Sequence, residues 1–215
     1  MKATRIIRAA VVALLAVGLF PAAPAHASII VAVDSVLAAP GATGKTLEVT
    51  LQNTGTSNIT VAGFAFEIST ADLDITFTGT DISTTDPYVF AGDSLFGPNI
   101  NTMSPGQSMD GFDLAFSGGD VVAAGSTVGL GRVFFDVAPG AVLGSTAVVT
   151  LAPYPVTNLS DSSGANIPID KLTDGQINVT IPEPATVALF GAGLLAVVGL
   201  RKRASTRGGY GAGLH

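Results

Sequence analysis

Apolar and polar residues alternate along most of residues 28–181, and this pattern predicts β-strands. In the segment Thr46–Leu51, for example, Leu47, Val49 and Leu51 fall on one face of a strand and polar residues on the other. No long stretch has helical periodicity, and turns rich in glycine and proline separate the alternating segments. The predicted strands are Ile29–Val33, Thr46–Leu51, Ile59–Ser69, Leu73–Phe77, Tyr88–Phe90, Asp110–Phe116, Thr127–Val137, Thr146–Leu151 and Gln176–Ile181.

Several of these strands have an apolar face that we expect to lie in one core. In Thr127–Val137 both alternating sets contain large apolar residues, which predicts a central strand. Short strands at this spacing predict an all-β fold, an antiparallel sandwich of about nine strands. The predicted core faces are Phe64, Phe66 and Ile68; Leu73, Ile75 and Phe77; and Phe112, Leu114 and Phe116.

The first 27 residues have the pattern of a secretory signal peptide. Basic residues precede the apolar stretch Ala9–Phe20, and small residues follow at Ala25 and Ala27. This order predicts export and cleavage by signal peptidase after Ala27. The alternative is a signal anchor that is not cleaved, for which the apolar stretch is short.

A second membrane signal lies near the C-terminus. Pro182, Glu183 and Pro184 precede the uncharged apolar run Ala185–Leu200, which ends at the basic cluster Arg201–Arg203. The two prolines keep the tripeptide extended and accessible, and the run predicts a transmembrane helix whose basic cluster, Arg201, Lys202 and Arg203, stops transfer. A helix of this length spans only about 24 Å, so the basic side chains would have to extend towards the headgroups. The alternative is a core helix of a soluble domain.

These three elements, in this order, resemble the PEP-CTERM sorting signal of Gram-negative bacteria. The resemblance implies export, transient anchoring in the inner membrane, and processing near Pro182-Glu183-Pro184 by an exosortase. It further implies delivery to the cell surface or to the exopolysaccharide matrix. The tail, residues 204–215, departs from the family pattern because it continues beyond the basic cluster. The predicted division is therefore a signal peptide (1–27), a sandwich (28–181), a sorting signal (182–203) and a flexible tail (204–215).

The body between these signals has a second resemblance, to the cohesin domains of cellulosomes. A proline–glycine turn precedes the second strand, and Val61–Phe66 resembles the cohesin core strand. The resemblance implies a jelly-roll sandwich that binds a partner. Cohesins bind dockerin modules, but their contact surface varies between members, so dockerin binding is not carried over to this chain. The segments that carry the resemblance are Val33–Val36, Pro40–Thr43, Leu51–Asn53, Val61–Phe66, Gly131–Val137, Gly144–Val148 and Asp174–Val179.

Charge and composition exclude several functions for residues 28–181. This segment has three cations and fifteen carboxylates, a net charge of −12, which disfavours binding to nucleic acid or anionic lipid. The chain has two histidines, His26 and His215, and both lie outside this segment. Ser–His catalysis and histidine-containing zinc sites are therefore excluded from residues 28–181. The chain has no cysteine, so the exported fold depends on its core without disulfides.

Clustered carboxylates suggest two further kinds of site. Asp72, Asp74, Asp110 and Asp113 are candidate calcium ligands, with Asp81 and Asp86 nearby in sequence, although no EF-hand spacing is present. Solvated loops and turn caps are the competing explanation. A carboxylate pair could also serve a glycoside hydrolase, but the chain has no tryptophan to form a sugar platform.

Two tyrosines in proline-containing loops, Tyr88 and Tyr154, are candidate glycan contacts, with ordinary loop packing as the alternative. The segment Gly41–Thr46 resembles a phosphate loop only superficially, since its glycine spacing is wrong and a strand follows it. The leading hypothesis is a non-enzymatic exported protein of the surface or matrix. A carbohydrate- or protein-binding adhesion module is the alternative, and a glycoside hydrolase is third.

Overall fold

The computed structural model describes residues 28–82, 86–96 and 106–180. This part of the chain contains fourteen strands. The first sheet has the order β13 (Lys171–Thr173), β1 (Ile29–Val33), β3 (Lys45–Asn53), β9 (Thr127–Val137) and β6 (Ile75–Asp81). The second has the order β12 (Asn166–Ile167), β11 (Asn158–Ser160), β5 (Gly63–Ser69), β10 (Thr146–Leu151), β14 (Gly175–Val179) and β2 (Ser35–Ala38), with β7 (Ser108–Leu114) on the free edge of β5. A short ribbon pairs β4 (Ile59–Val61) with β8 (Asp120–Val122).

The described residues form an all-β sandwich, as the sequence predicts. They include no helix with the length and hydropathy needed to cross a membrane. The predicted signal helix and the predicted C-terminal transmembrane helix both lie outside the described residues.

The prediction of purely antiparallel sheets is wrong, because each sheet also contains a parallel pair. β1 pairs in parallel with β13, and β2 pairs in parallel with β14, whereas the other strand pairs are antiparallel. In each parallel pair, a strand from the start of the domain runs in the same direction as a strand from its end. The chain between them serves as the long connection that parallel pairing requires.

Both ends of the domain change sheets at the same place. The first segment passes from β1 to β2 at Asp34, and the last passes from β13 to β14 at Asp174. The two crossings are in tight contact, since a Cβ atom placed on Gly175 would lie 2.2 Å from the carbonyl oxygen of Asp34. Only glycine fits at position 175. Each terminal segment is divided into two strands, one in each sheet, and this division is part of the reason why the structure has more strands than the nine that the sequence predicts.

Most of the predicted core faces are confirmed. Leu47, Val49 and Leu51 on β3 are fully buried, as are Ile68 on β5 and Ile75 on β6. β9 lies between β3 and β6, as predicted for a central strand. Leu73 is an error of prediction: it precedes β6 in a turn and is 81% exposed. The predicted strand Tyr88–Phe90 is a turn with one bridge, from Tyr88 to Gly129.

The face assigned to β7 is also wrong, and the cause lies on β5 and β9. The ring of Phe66 occupies the space beside two glycines, so that a Cβ atom would lie 2.5 Å from the ring at Gly111 and 3.0 Å from it at Gly131. Because Gly111 faces the core, Met109 and Asp113 face it too, and the apolar residues Phe112 and Leu114 face outward.

We expect Gly111→Ala to destabilise the protein by about 1–3 kcal/mol, because the added methyl group would lie 2.5 Å from the buried ring of Phe66 and force it to shift. Denaturant unfolding followed by far-UV circular dichroism measures the change. Gly140→Ala is the matched control, since no atom lies within 4 Å of the added methyl group there. Equal stability of the two variants would contradict the proposed packing.

Candidate functional site

The predicted processing residues cannot be compared with the structure, because they lie outside the described residues. This applies to Ala25 and Ala27, to Pro182-Glu183-Pro184 and to the basic cluster Arg201–Arg203. The structure does show where the chain leaves the sandwich. β14 ends at Val179, and the amide of Thr180 donates a hydrogen bond of 2.9 Å to the carbonyl oxygen of Ala38. The tripeptide therefore begins two residues beyond a hydrogen-bonded edge of the second sheet.

The carboxylates proposed as calcium ligands are not brought together. Asp72 and Asp74 lie in the turn before β6 and not on a strand face; a carboxylate oxygen of Asp72 accepts the amide hydrogen of Asp74 at 2.9 Å. Asp110 and Asp113 lie on β7 with opposite orientations, since Asp113 is fully buried in the core and Asp110 is not. Within residues 28–82, 86–96 and 106–180 no three acidic or histidine side chains come close enough to hold a metal ion. The structure thus gives the calcium prediction no support at these positions.

Tyr88 is buried, which corrects its prediction as an exposed glycan contact. Only 6% of the residue is exposed, and its ring packs edge-on against Phe64 and Phe90. Its hydroxyl donates a hydrogen bond of 2.6 Å to Asp113 Oδ2. The polar end of the ring is satisfied inside the protein, so Tyr88 offers no surface for a sugar.

Asp113 connects this buried tyrosine to the surface. Its Oδ1 accepts hydrogen bonds from the amides of Leu114 at 2.8 Å and Phe96 at 3.2 Å. One carboxyl group therefore holds the 88–96 loop against β7. The pKa of Tyr88 is raised far above its ordinary value, first because the phenol is buried and then because of the hydrogen bond to Asp113.

An apolar surface results from this arrangement, and we name it the aromatic patch: Leu95, Phe96, Phe112, Leu114 and Phe116. Phe116 is 78% exposed. The exposed fractions of Leu95, Phe96 and Leu114 are between 41% and 48%. The rings of Phe96 and Phe112 meet edge to face, with centroids 5.4 Å apart. The sequence alternation in Asp110–Phe116 marked three of these residues, but as core.

The aromatic patch has acidic neighbours. The carbonyl oxygen of Asp93 accepts the amide hydrogen of Phe116, and its carboxylate accepts bonds from the amide and hydroxyl of Ser117. Partial burial and then the nearby Asp93 raise the pKa of Asp120 on β8. Asp93 thus lies beside Phe116, and Asp120 is near enough to Asp93 for its charge to be felt.

Tyr154 is the candidate glycan contact that does reach the surface. It lies in the turn between β10 and β11 and is 67% exposed. It stands beside a small cavity whose lining includes Thr157 and Asn166. The sequence does not predict that Thr157 and Asn166 lie beside Tyr154, because neither residue belongs to a recognisable motif.

We expect Tyr88→Phe to lower stability by about 2 kcal/mol at neutral pH, because the buried carboxyl group of Asp113 loses its hydroxyl donor. Denaturant unfolding at several pH values measures this. Tyr154→Phe is the matched control and should have no effect, since that residue is exposed.

The same pair of variants tests the shifted pKa of Tyr88. A raised pKa in the folded state stabilises the fold fully below the pKa of the unfolded phenol, about 10, and this stabilisation is lost as the pH rises above it. The loss of stability above about pH 10 should therefore be less steep in Tyr88→Phe than in the wild type. An unchanged slope would show that the buried phenol titrates normally.

Comparison with known proteins agrees with both resemblances. Residues 180–203 match the model of the PEP-CTERM protein-sorting motif. A comparison with curated proteins gives no match. Among solved structures, the third cohesin ScaC of Acetivibrio cellulolyticus, in complex with a dockerin, has a TM-score of 0.55 at 16% identity, over 71% of this chain and 99% of that one.

Two other cohesins extend this likeness across species. A cohesin–dockerin complex from Clostridium thermocellum has a TM-score of 0.51 at 12% identity, covering 71% of this chain and 99% of that one. A type III cohesin module from a scaffoldin of Ruminococcus flavefaciens has a TM-score of 0.51 at 10% identity, covering 73% and 90%. Identities this low establish the fold alone. The chain therefore combines a cohesin-like β-sandwich of two mixed sheets with a C-terminal PEP-CTERM sorting motif, which indicates an exported protein sorted to the cell surface through an exosortase.

Proposed function

We propose that this chain is a non-enzymatic binding module of the cell surface or exopolysaccharide matrix, and that its partner is a protein that docks on the aromatic patch. One observation carries this proposal: β7 directs the half-buried Phe112 and the exposed Leu114 outward while a carboxyl group on the same strand is buried. A strand that serves only the core would have the reverse arrangement.

The aromatic patch has the composition of a protein interface. Contiguous exposed apolar side chains are uncommon on monomeric proteins and mark interaction surfaces. Aromatic side chains at the centre of an interface contribute much of its binding energy, and polar residues at the rim contribute specificity. Phe96, Phe112 and Phe116 supply such a centre, and Asp93 and Asp120 supply an acidic rim. The matching partner has an apolar surface bordered by lysine or arginine.

The solved cohesins named above support a protein ligand, since two of those structures are complexes with dockerins. We take from them the class of ligand and not the particular partner. Catalysis that depends on a histidine base is disfavoured, because residues 28–181 contain no histidine for Ser–His or Cys–His chemistry.

We expect Leu114→Ser combined with Phe116→Ser to abolish saturable binding of the full-length protein to surface proteins of its host, because both apolar anchors are removed. Surface plasmon resonance on an immobilised protein measures this. The folded state should be unaffected, since both residues are exposed. Leu73→Ser is the matched control, as Leu73 is an exposed leucine in the turn before β6, on the other sheet.

Two results would contradict a protein partner at this patch. One is protease-resistant binding to the surface extract that is still lost in the Leu114→Ser and Phe116→Ser variant, which would identify a polysaccharide as the ligand of the aromatic patch. The other is an equal loss of binding in the Leu73→Ser control.

The route to the surface is the second part of the proposal. Signal peptidase cuts after Ala27, the segment Ala185–Leu200 holds the precursor in the inner membrane, and an exosortase cuts near Pro182-Glu183-Pro184. In the sequence only Ile181 separates Pro182 from Thr180, whose amide is hydrogen-bonded to the sandwich.

We expect replacement of Pro182 and Pro184 by alanine to leave a precursor of higher mass in the membrane fraction, because the tripeptide is then free to join the following helical segment. Immunoblots of fractionated cells measure mass and location together. A chain lacking residues 204–215 is the control and should be processed normally. If the alanine variant reached the surface at the wild-type mass, the assignment of the processing site would be wrong.

A further inference from the structure

A small cavity lies at one edge of the sandwich, and none of its lining residues belongs to the aromatic patch. Its volume is about 250 Å³, and the turn between β10 and β11 forms one wall with Tyr154 and Thr157. Asn166 and Ile167 of β12 and Leu172 of β13 form the other walls. β12 and β13 are the terminal strands of the two sheets, so the cavity opens where the sheet edges approach each other.

We infer that this cavity binds one sugar residue of a neutral polysaccharide. The inference does not depend on the protein partner proposed above, because the cavity and the aromatic patch share no residue.

A buried hydroxyl group is the first observation behind it. Thr157 is 1% exposed, and its Oγ1 has no hydrogen-bond partner among the described residues. An unsatisfied buried polar group costs about 1–3 kcal/mol, and most such groups in native proteins have a partner. Thr157 lines the cavity, so its unsatisfied hydroxyl group lies next to the space that a ligand would fill, and a rotation of this side chain would bring the hydroxyl to a ligand hydroxyl group.

The remaining lining residues also suit a sugar ring. Tyr154 is 67% exposed at the rim and presents an aromatic face for the C–H groups of a sugar. The Asn166 side chain both donates and accepts hydrogen bonds, which matches the hydroxyl groups of a sugar. Ile167 and Leu172, both partly buried, provide an apolar floor.

Charge and size narrow the class of ligand. The lining contains no charged side chain, and residues 28–181 have a net charge of −12, so anionic sugars such as uronic acids are disfavoured. The volume is below the roughly 300–1,000 Å³ of pockets for drug-sized ligands, which fits a single ring and not a folded peptide segment.

Titration with soluble oligosaccharides tests this inference. The full-length protein, solubilised in a detergent without a sugar headgroup, is titrated with neutral glucan, mannan, xylan and galactan oligomers and with oligouronates for comparison. Calorimetry gives the affinity, and tyrosine fluorescence reports on the site because the chain has no tryptophan. We expect a neutral series to bind and the oligouronates not to bind.

Variants locate the binding. Tyr154→Ala should weaken it by about tenfold through loss of stacking, while Tyr154→Phe should keep it. Thr157→Val, which preserves shape and removes the hydroxyl, should also weaken binding, without lowering the melting temperature. Leu73→Ala is the control at a distant exposed position.

Three results would overturn the inference. These are the absence of binding by every neutral series, binding that is unchanged in both Tyr154→Ala and Thr157→Val, and stronger binding of oligouronates than of neutral oligomers.

Discussion

Phe66 occupies a space that two glycines leave open, and the orientation of a whole strand follows from this contact. Gly111 on β7 and Gly131 on β9 both lie against the ring; a Cβ atom at Gly111 would overlap the ring, and one at Gly131 would be in tight contact with it. With Gly111 facing inward, Asp113 must face inward as well, and it meets the hydroxyl of Tyr88 there. The residues between them must face outward, which produces the aromatic patch. A packing requirement in the core thus determines what the surface offers to a partner.

Sequence patterns gave the class of fold and many core residues, because alternation is a local property. Leu47, Val49 and Leu51 alternate with polar residues along the strand, so only one of its two faces is apolar, and that face is buried. In Asp110–Phe116 the pattern also defines two faces, but which face is buried depends on Phe66, a residue more than forty positions earlier. The parallel pairs β1–β13 and β2–β14 depend on contacts across the whole domain. No local pattern carries that information.

The same difference separates the functional residues that sequence could predict from those it could not. The PEP-CTERM motif is contiguous, so its tripeptide, apolar run and basic cluster are readable as a linear segment. The Tyr88–Asp113 pair and the cavity beside Thr157 each join residues from separate strands and turns. The sequence identifies Tyr154 as an aromatic residue in a proline-containing loop. Its polar neighbours Thr157 and Asn166 become candidates for a binding site only because the fold brings them to the same cavity.

The parallel pairing of β14 with β2 also has a mechanical consequence. The last four residues of the final strand, from Gln176 to Val179, pair with Ser35–Ala38, and Thr180 continues this contact to Ala38. A pull on the chain beyond Thr180, directed along the strand, acts in shear. It must break the bonds to β2 and to the neighbouring strand β10 together, whereas a peeling force would break them one at a time. The point at which the sorting motif joins the sandwich is therefore suited to resist tension applied to the chain beyond Thr180.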